Sequence, residues 1–208
     1  MRTSPPKLKI CGMRDPENIM RVAELGPDYL GFIFYPPSPR FVGEYFTIPE
    51  ELPSSVGRVG VFVDAGFDEI KKNIERFSLK AVQLHGNETP ELCSDLRPLA
   101  EVIKVFRVDE ETDFSEVKPF QGVVDYFLFD TKGKLYGGNA VKFDWAVLDR
   151  YDQRTPFFLS GGITPDDVPV IREMSQYNIA AIDINSGVEV RPAEKDVDKV
   201  RLVCDRLK

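Results

Sequence analysis

Short β-rich runs alternate with stretches of helical periodicity along the whole chain. The runs LKIC (8–11), YLGFIF (29–34), RVGVFV (58–63), AVQLH (81–85), EVIKVFRV (101–108), YFLFD (126–130), FFLS (157–160) and AIDI (181–184) read as strands apolar on both faces. Between them, Ile19, Val22 and Ala23 share a helical face, as do Phe67, Ile70, Ile74 and Phe77, then Leu92, Leu96 and Leu99, then Ile171 and Met174, and finally Val197, Val200 and Leu207. Asp15-Pro16, Thr89-Pro90 and Thr164-Pro165 each put a cap residue before a proline suited to the first helical position. Pro169 delays the regular part of the helix after Thr164. Gly43 to Pro53 shows no helical face, so Tyr35 to Ser55 is expected to be a long loop with at most a degenerate helix. About eight βα units without a linker predict an α/β fold, a (β/α)8 TIM barrel filling residues 1–208 as one catalytic domain. An open doubly wound sheet is the alternative, and no GxGxxG follows the first strand to support a dinucleotide site there.

Composition narrows the partners. A formal charge of -7 argues against a broad electrostatic hold on nucleic acid or anionic lipid, so a bound phosphate should be held locally by backbone amides. The longest apolar runs fall far short of the ~20 residues that span a bilayer, and MRTSPPKL lacks the apolar middle of a signal peptide, so a cytoplasmic protein is expected. Three cysteines without CxxC spacing and a single histidine point to neither a disulfide framework nor a metal site.

In either architecture chemistry gathers at the carboxyl ends of the strands. There the chain places Cys11, His85, Asp130, Ser160-Gly161-Gly162 and Asn185-Ser186-Gly187. Cys11 is open to two readings. It is a small buried hydrophobe, or it is a thiolate base or nucleophile whose pKa is drawn below ~8.5 by a nearby cation, which Arg14, three residues on in the same loop, could supply. Cys93 and Cys204 lie on apolar helix faces and read as structural. Asp130 ends an apolar strand, so it is either hydrogen-bonded in a solvated mouth or kept protonated and able to donate. The glycine turns at 161–162 and 186–187 follow the last two strands, where barrels of this kind hold phosphate on backbone N–H groups. Arg40 is a solvated surface residue or a bidentate clamp for a carboxylate. His85 is a base or a hydrogen-bonded strand-end residue, and with Gln83 it lines the mouth.

Taken in order, KICGM, GFIFYPPSPRFV, VGVFV, VQLHG, FLFDT, FLSGGI and SGVE resemble the phosphoribosylanthranilate isomerase family of tryptophan biosynthesis over nearly the whole chain. The resemblance implies an Amadori rearrangement with Cys11 as general base, Asp130 as general acid and Arg40 on the anthranilate carboxylate. It further implies that the Gly161, Gly162, Ser186 and Gly187 backbones hold the phosphate, and that Gly137 and Gly138 approach the substrate from the loop after strand six. The partner implied is a small phosphosugar, with no metal or organic cofactor, in a monomer or homodimer. Asn139-Ala140, Asn185 and Arg14 depart from the family's usual residues, which touches the loop and the phosphate details but neither Cys11 nor Asp130. Rival readings are another phosphosugar barrel, which would need metal-binding histidines or a catalytic lysine, and a non-catalytic phosphosugar-binding module.

Overall fold

A computed structural model of the chain describes residues 5–132 and 142–208. Eight parallel strands close into a barrel in chain order: β1 Lys7–Ile10, β2 Tyr29–Ile33, β3 Gly57–Phe62, β4 Ala81–Leu84, β5 Glu101–Val108, β6 Tyr126–Thr131, β7 Phe157–Leu159 and β8 Ile179–Ile184. The last strand pairs back onto the first, setting Lys9 beside Asp183 and Ile10 beside Ile184. The expected eight strands are therefore all present, and the open-sheet alternative is excluded by closure.

Strand alternation sorts the side chains into two cores. Inside the barrel, Tyr29, Val59, Ala81, Ile103, Leu128, Phe158 and Ala181 pack together. Outside it, residues such as Leu8, Leu30, Val102 and Phe129 meet the surrounding helices and turns. The strands are not apolar on both faces, as their composition suggested. Lys9, Gln83 and Asp183 are buried mid-strand or at strand ends, and each is satisfied by another of the set.

The outer layer has an α-helix at each of the five faces the periodicity named. Helices α1 (Pro16–Ala23), α2 (Phe67–Phe77), α3 (Pro90–Leu96), α4 (Val168–Glu173) and α5 (Val197–Leu207) follow β1, β3, β4, β7 and β8. After β5 and β6 the chain forms 3₁₀ segments, at Phe114–Phe120 with Pro119 inside and at Trp145–Arg150. The Asp15 and Thr89 side chains cap α1 and α3 as expected, and Thr164 heads a 3₁₀ turn with a capping box before α4 becomes regular at Val168. Leu99 does not share the buried face of α3: the helix stops at Leu96, Leu99 is exposed, and Cys93 takes the core position. The segment 35–55 is a series of turns, tied back by a bridge between Ile33 and Phe41. An unforeseen hairpin, β9 Glu189–Arg191 with β10 Glu194–Lys195, closes the route from β8 to α5. No helix among the described residues is long and apolar enough to cross a membrane.

Candidate active site

Cys11 lies one residue past β1, its N–H extending the ladder to Ile184 O at 2.9 Å. Alternation turns its side chain inward, on the same side as Lys9. Room for the sulfur comes from β2: a Cβ added to Gly31 would stand 2.8 Å from Cys11 Sγ and 3.2 Å from Lys9 Cε. Asp130 lies on β6, with Oδ1 accepting the Thr131 N–H at 3.0 Å. One cavity at the carboxyl end of the barrel is lined by Cys11, Gln83, His85, Asp130, Ser160 to Gly162, Asp183 and Asn185 to Gly187. The thiol and the carboxyl therefore face the same space.

A lysine that sequence reasoning passed over organises the floor of that cavity. Lys9 is fully buried, and its ammonium donates to Asp183 Oδ1 at 2.7 Å and to Gln83 Oε1 at 2.8 Å. Burial opposes the charge on Lys9, but Asp183 and Cys11 outweigh it and hold its pKa above the ordinary value. Burial pushes the Cys11 thiol up, while Lys9 and Lys195 pull against that rise. Arg14 is not the cation beside the thiol, because its guanidinium is exposed and donates to the Pro39 and Phe41 carbonyls at 3.4 and 3.3 Å. The signal that would have found Lys9 is a charge in the middle of a short apolar strand, mirrored by Asp183 in the last one.

The polar chain continues across the mouth. Gln83 Nε2 lies 3.2 Å from His85 Nδ1, and His85 Nε2 lies 3.5 Å from Asp130 Oδ2. Ser160 Oγ donates to Asp183 Oδ2 at 3.3 Å. Gly161 must be glycine, since its φ is +96° and a Cβ would come within 2.1 Å of Thr131 Oγ1. That tight approach brings the 161–162 backbone beside the end of β6. Ser186 and Gly187 open a 3₁₀ turn on the same rim. Gly137 and Gly138, with Asn139 and Ala140, lie outside the described residues.

Arg40 is buried and turned onto Glu189, with Nε 2.9 Å from Oε1 and Nη2 2.7 Å from Oε2. Lys195, on β10, joins the cluster through Glu189 Oε1 and Asn185 Oδ1, both at 2.7 Å. Burial pulls Lys195 down to about 8, against the opposing pull of Glu189. Burial also works against the charge of Glu189, but Arg40 and Lys195 outweigh it and hold the carboxyl below its usual range. Asn18 on α1 anchors the hairpin from below, accepting the Lys195 N–H at 2.8 Å and donating to its carbonyl at 2.9 Å.

Comparison with known proteins agrees with this geometry. A family model described as N-(5′-phosphoribosyl)anthranilate (PRA) isomerase matches residues 8–206. N-(5′-phosphoribosyl)anthranilate isomerase from Phocaeicola vulgatus is 43% identical over 202 residues, covering 97% of both chains. The protein of that name from Parabacteroides distasonis is 43% identical over 198 residues, covering 93% of this chain and 90% of that one. Among solved structures, phosphoribosyl anthranilate isomerase from Thermotoga maritima superposes with a TM-score of 0.85 at 34% identity, covering 97% of this chain and 98% of that one. A phosphoribosyl anthranilate isomerase in complex with reduced 1-(o-carboxyphenylamino)-1-deoxyribulose 5-phosphate superposes with a TM-score of 0.82 at 33% identity over the same shares. A closed barrel with a thiol and a carboxyl on one cavity, matched to this family from its first strand to its last helix, makes the chain a member of the N-(5′-phosphoribosyl)anthranilate isomerase family.

Proposed function

We propose that this chain converts N-(5′-phosphoribosyl)anthranilate to 1-(2-carboxyphenylamino)-1-deoxyribulose 5-phosphate by acid/base catalysis, a step of tryptophan biosynthesis. The observation that carries this reading is the single cavity shared by Cys11 and Asp130. Asp130 acts as general acid: it protonates the furanose ring oxygen, the C1′–O bond breaks, and the anthranilate nitrogen supplies the electron pair that forms an iminium. Cys11, as thiolate, takes the C2′ proton. The electrons of that C–H bond flow to the iminium and leave an enolamine, which tautomerises to the ketose. Lys9 provides the positive charge that opposes burial of the thiolate.

The remaining roles follow from position. The Gly161, Gly162, Ser186 and Gly187 backbones line the cavity where the phosphate would sit, with Gln83 and His85 on the opposite wall. Arg40 would receive the anthranilate carboxylate, in exchange for Glu189. Gly137 and Gly138 keep their assignment to the substrate from sequence alone. A cytoplasmic monomer or homodimer working on one small phosphosugar suits this chemistry.

The test follows the fluorescence of phosphoribosylanthranilate, generated in situ, as the protein consumes it. Cys11→Ser and Asp130→Asn should each lower kcat by at least ~10²-fold, the scale of losing a positioned acid or base, while product binding stays nearly intact. Normal turnover in either variant would reject that residue's role, and no consumption by the parent chain would reject the reaction.

A further inference from the structure

The ring of hydrogen bonds around Lys9 carries a consequence for the proton on His85. An ammonium has three donors and no acceptor. Two of the Lys9 donors are placed on Asp183 Oδ1 and on Gln83, and none of the three can accept from an amide N–H. The Gln83 atom facing Lys9 must therefore be the amide oxygen, which leaves the amide nitrogen facing His85 Nδ1 at 3.2 Å. An amide N–H can meet only a bare ring nitrogen. His85 Nδ1 must accept, so its proton sits on Nε2, the atom 3.5 Å from Asp130 Oδ2.

The geometry points to Lys9 as the positioning residue of the site: through Gln83 it fixes His85 as the neutral Nε2–H tautomer facing Asp130. The same buried charge opposes the rise of the Cys11 thiol, so one group bears on both partners of the reaction, a role that rests on the assignments proposed above. His85 is then a hydrogen-bond donor, not a base. The backbone N–H of Thr131 donates to Asp130 Oδ1, and His85 Nε2 stands 3.5 Å from Oδ2, short of a hydrogen bond in this structure but placed to donate to the carboxylate left after proton transfer. The 3.5 Å contact has room to shorten as the carboxyl gains charge.

Because His85 is the sole histidine, long-range ¹H–¹⁵N correlation on uniformly ¹⁵N-labelled protein reads its tautomer without assignment. The intact chain should show an unprotonated Nδ1 and a protonated Nε2. Gln83→Glu, of the same shape, presents only acceptors, so Nδ1 should become protonated. With it kcat should fall roughly tenfold at nearly constant KM, the scale of one lost neutral hydrogen bond to the acid. Lys9→Met frees the amide to turn, so the ring signals should move to values averaged between tautomers. If that variant fails to fold because Asp183 is left unpaired, the Gln83→Glu spectrum decides alone. A protonated Nδ1 in the intact chain, or an unchanged tautomer in Gln83→Glu, would overturn the assignment. The spectra are read without turnover, so an inactive chain with the expected tautomer would refute the proposed reaction and leave the positioning by Lys9 standing.

Discussion

At the scale of residues, the thiol depends on what its neighbour lacks. A methyl group on Gly31 would sit 2.8 Å from Cys11 Sγ and 3.1 Å from its Cα, so the side chain would have to move by a sizeable part of an ångström. Gly31→Ala is expected to cost about 1–3 kcal/mol of stability through overpacking. It should lower kcat by about 10²-fold through misplacement of the base. Thermal melts beside steady-state kinetics separate the two, and a folded Ala variant with normal turnover would show that the sulfur's position does not matter. Cys11, Asp130 and the glycine turns were legible because they interrupt apolar strands at their ends, where a lone polar residue stands out. Lys9 was not, because its flanking residues made LKIC look uniformly apolar and its counter-charge Asp183 lies 174 positions away. Arg14, three residues after the thiol, was credited with a charge that Lys9, two residues before it on β1, supplies.

At the scale of elements, periodicity revealed the strands and missed the hairpin. Strands of three and two residues carry too little pattern to be seen, and Ala193 between them adopts a positive φ of 67° that no composition rule flags. After β5 and β6, where no helical face was named, the chain forms 3₁₀ segments. There the sheet's outer face is covered by rings: Phe106 packs on Phe120 and Phe127, and Tyr151 on Phe114, Phe129 and Phe157. Aromatic area replaces the apolar stripe a longer helix would bring. Besides the Arg40–Glu189 and Lys195–Asn185 contacts, the hairpin is held to α1 by two hydrogen bonds between Asn18 and the backbone of Lys195. Asn18→Ala would strand a buried N–H and a buried carbonyl, so a loss of about 2–3 kcal/mol is expected in denaturant titrations. Asn18→Ala with parental stability would mean that the hairpin holds itself.

For the whole molecule, burial of ionisable groups sets the alkaline limit. Burial pushes the Tyr29 and Tyr151 phenols from 10.0 up to about 12. A folded pKa above the unfolded one means that the native state keeps its proton longer, so the stabilisation is complete below pH 10 and is lost as pH rises through 12. Each two-unit shift corresponds to about 3 kcal/mol. The raised pKa values of Cys11, Cys93 and Cys204 act in the same direction from lower pH. Lys195, depressed from 10.5 to about 8, acts oppositely between those values. Denaturant midpoints should therefore fall most steeply above pH 10, and Tyr29→Phe should flatten that fall. An unchanged slope in the phenylalanine variant would reject burial of the phenol as its cause.

The Arg40–Glu189 pair reaches beyond the resting site. A guanidinium already matched by an internal carboxylate exerts little long-range pull, so an anion drifting past gains nothing from it. Only a ligand presenting two coplanar oxygens at Glu189's spacing can take its place without leaving a donor bare. The barrel's mouth would then choose its guest by outline at close range, and a spherical or singly coordinating anion would be turned away even where charge alone should have welcomed it.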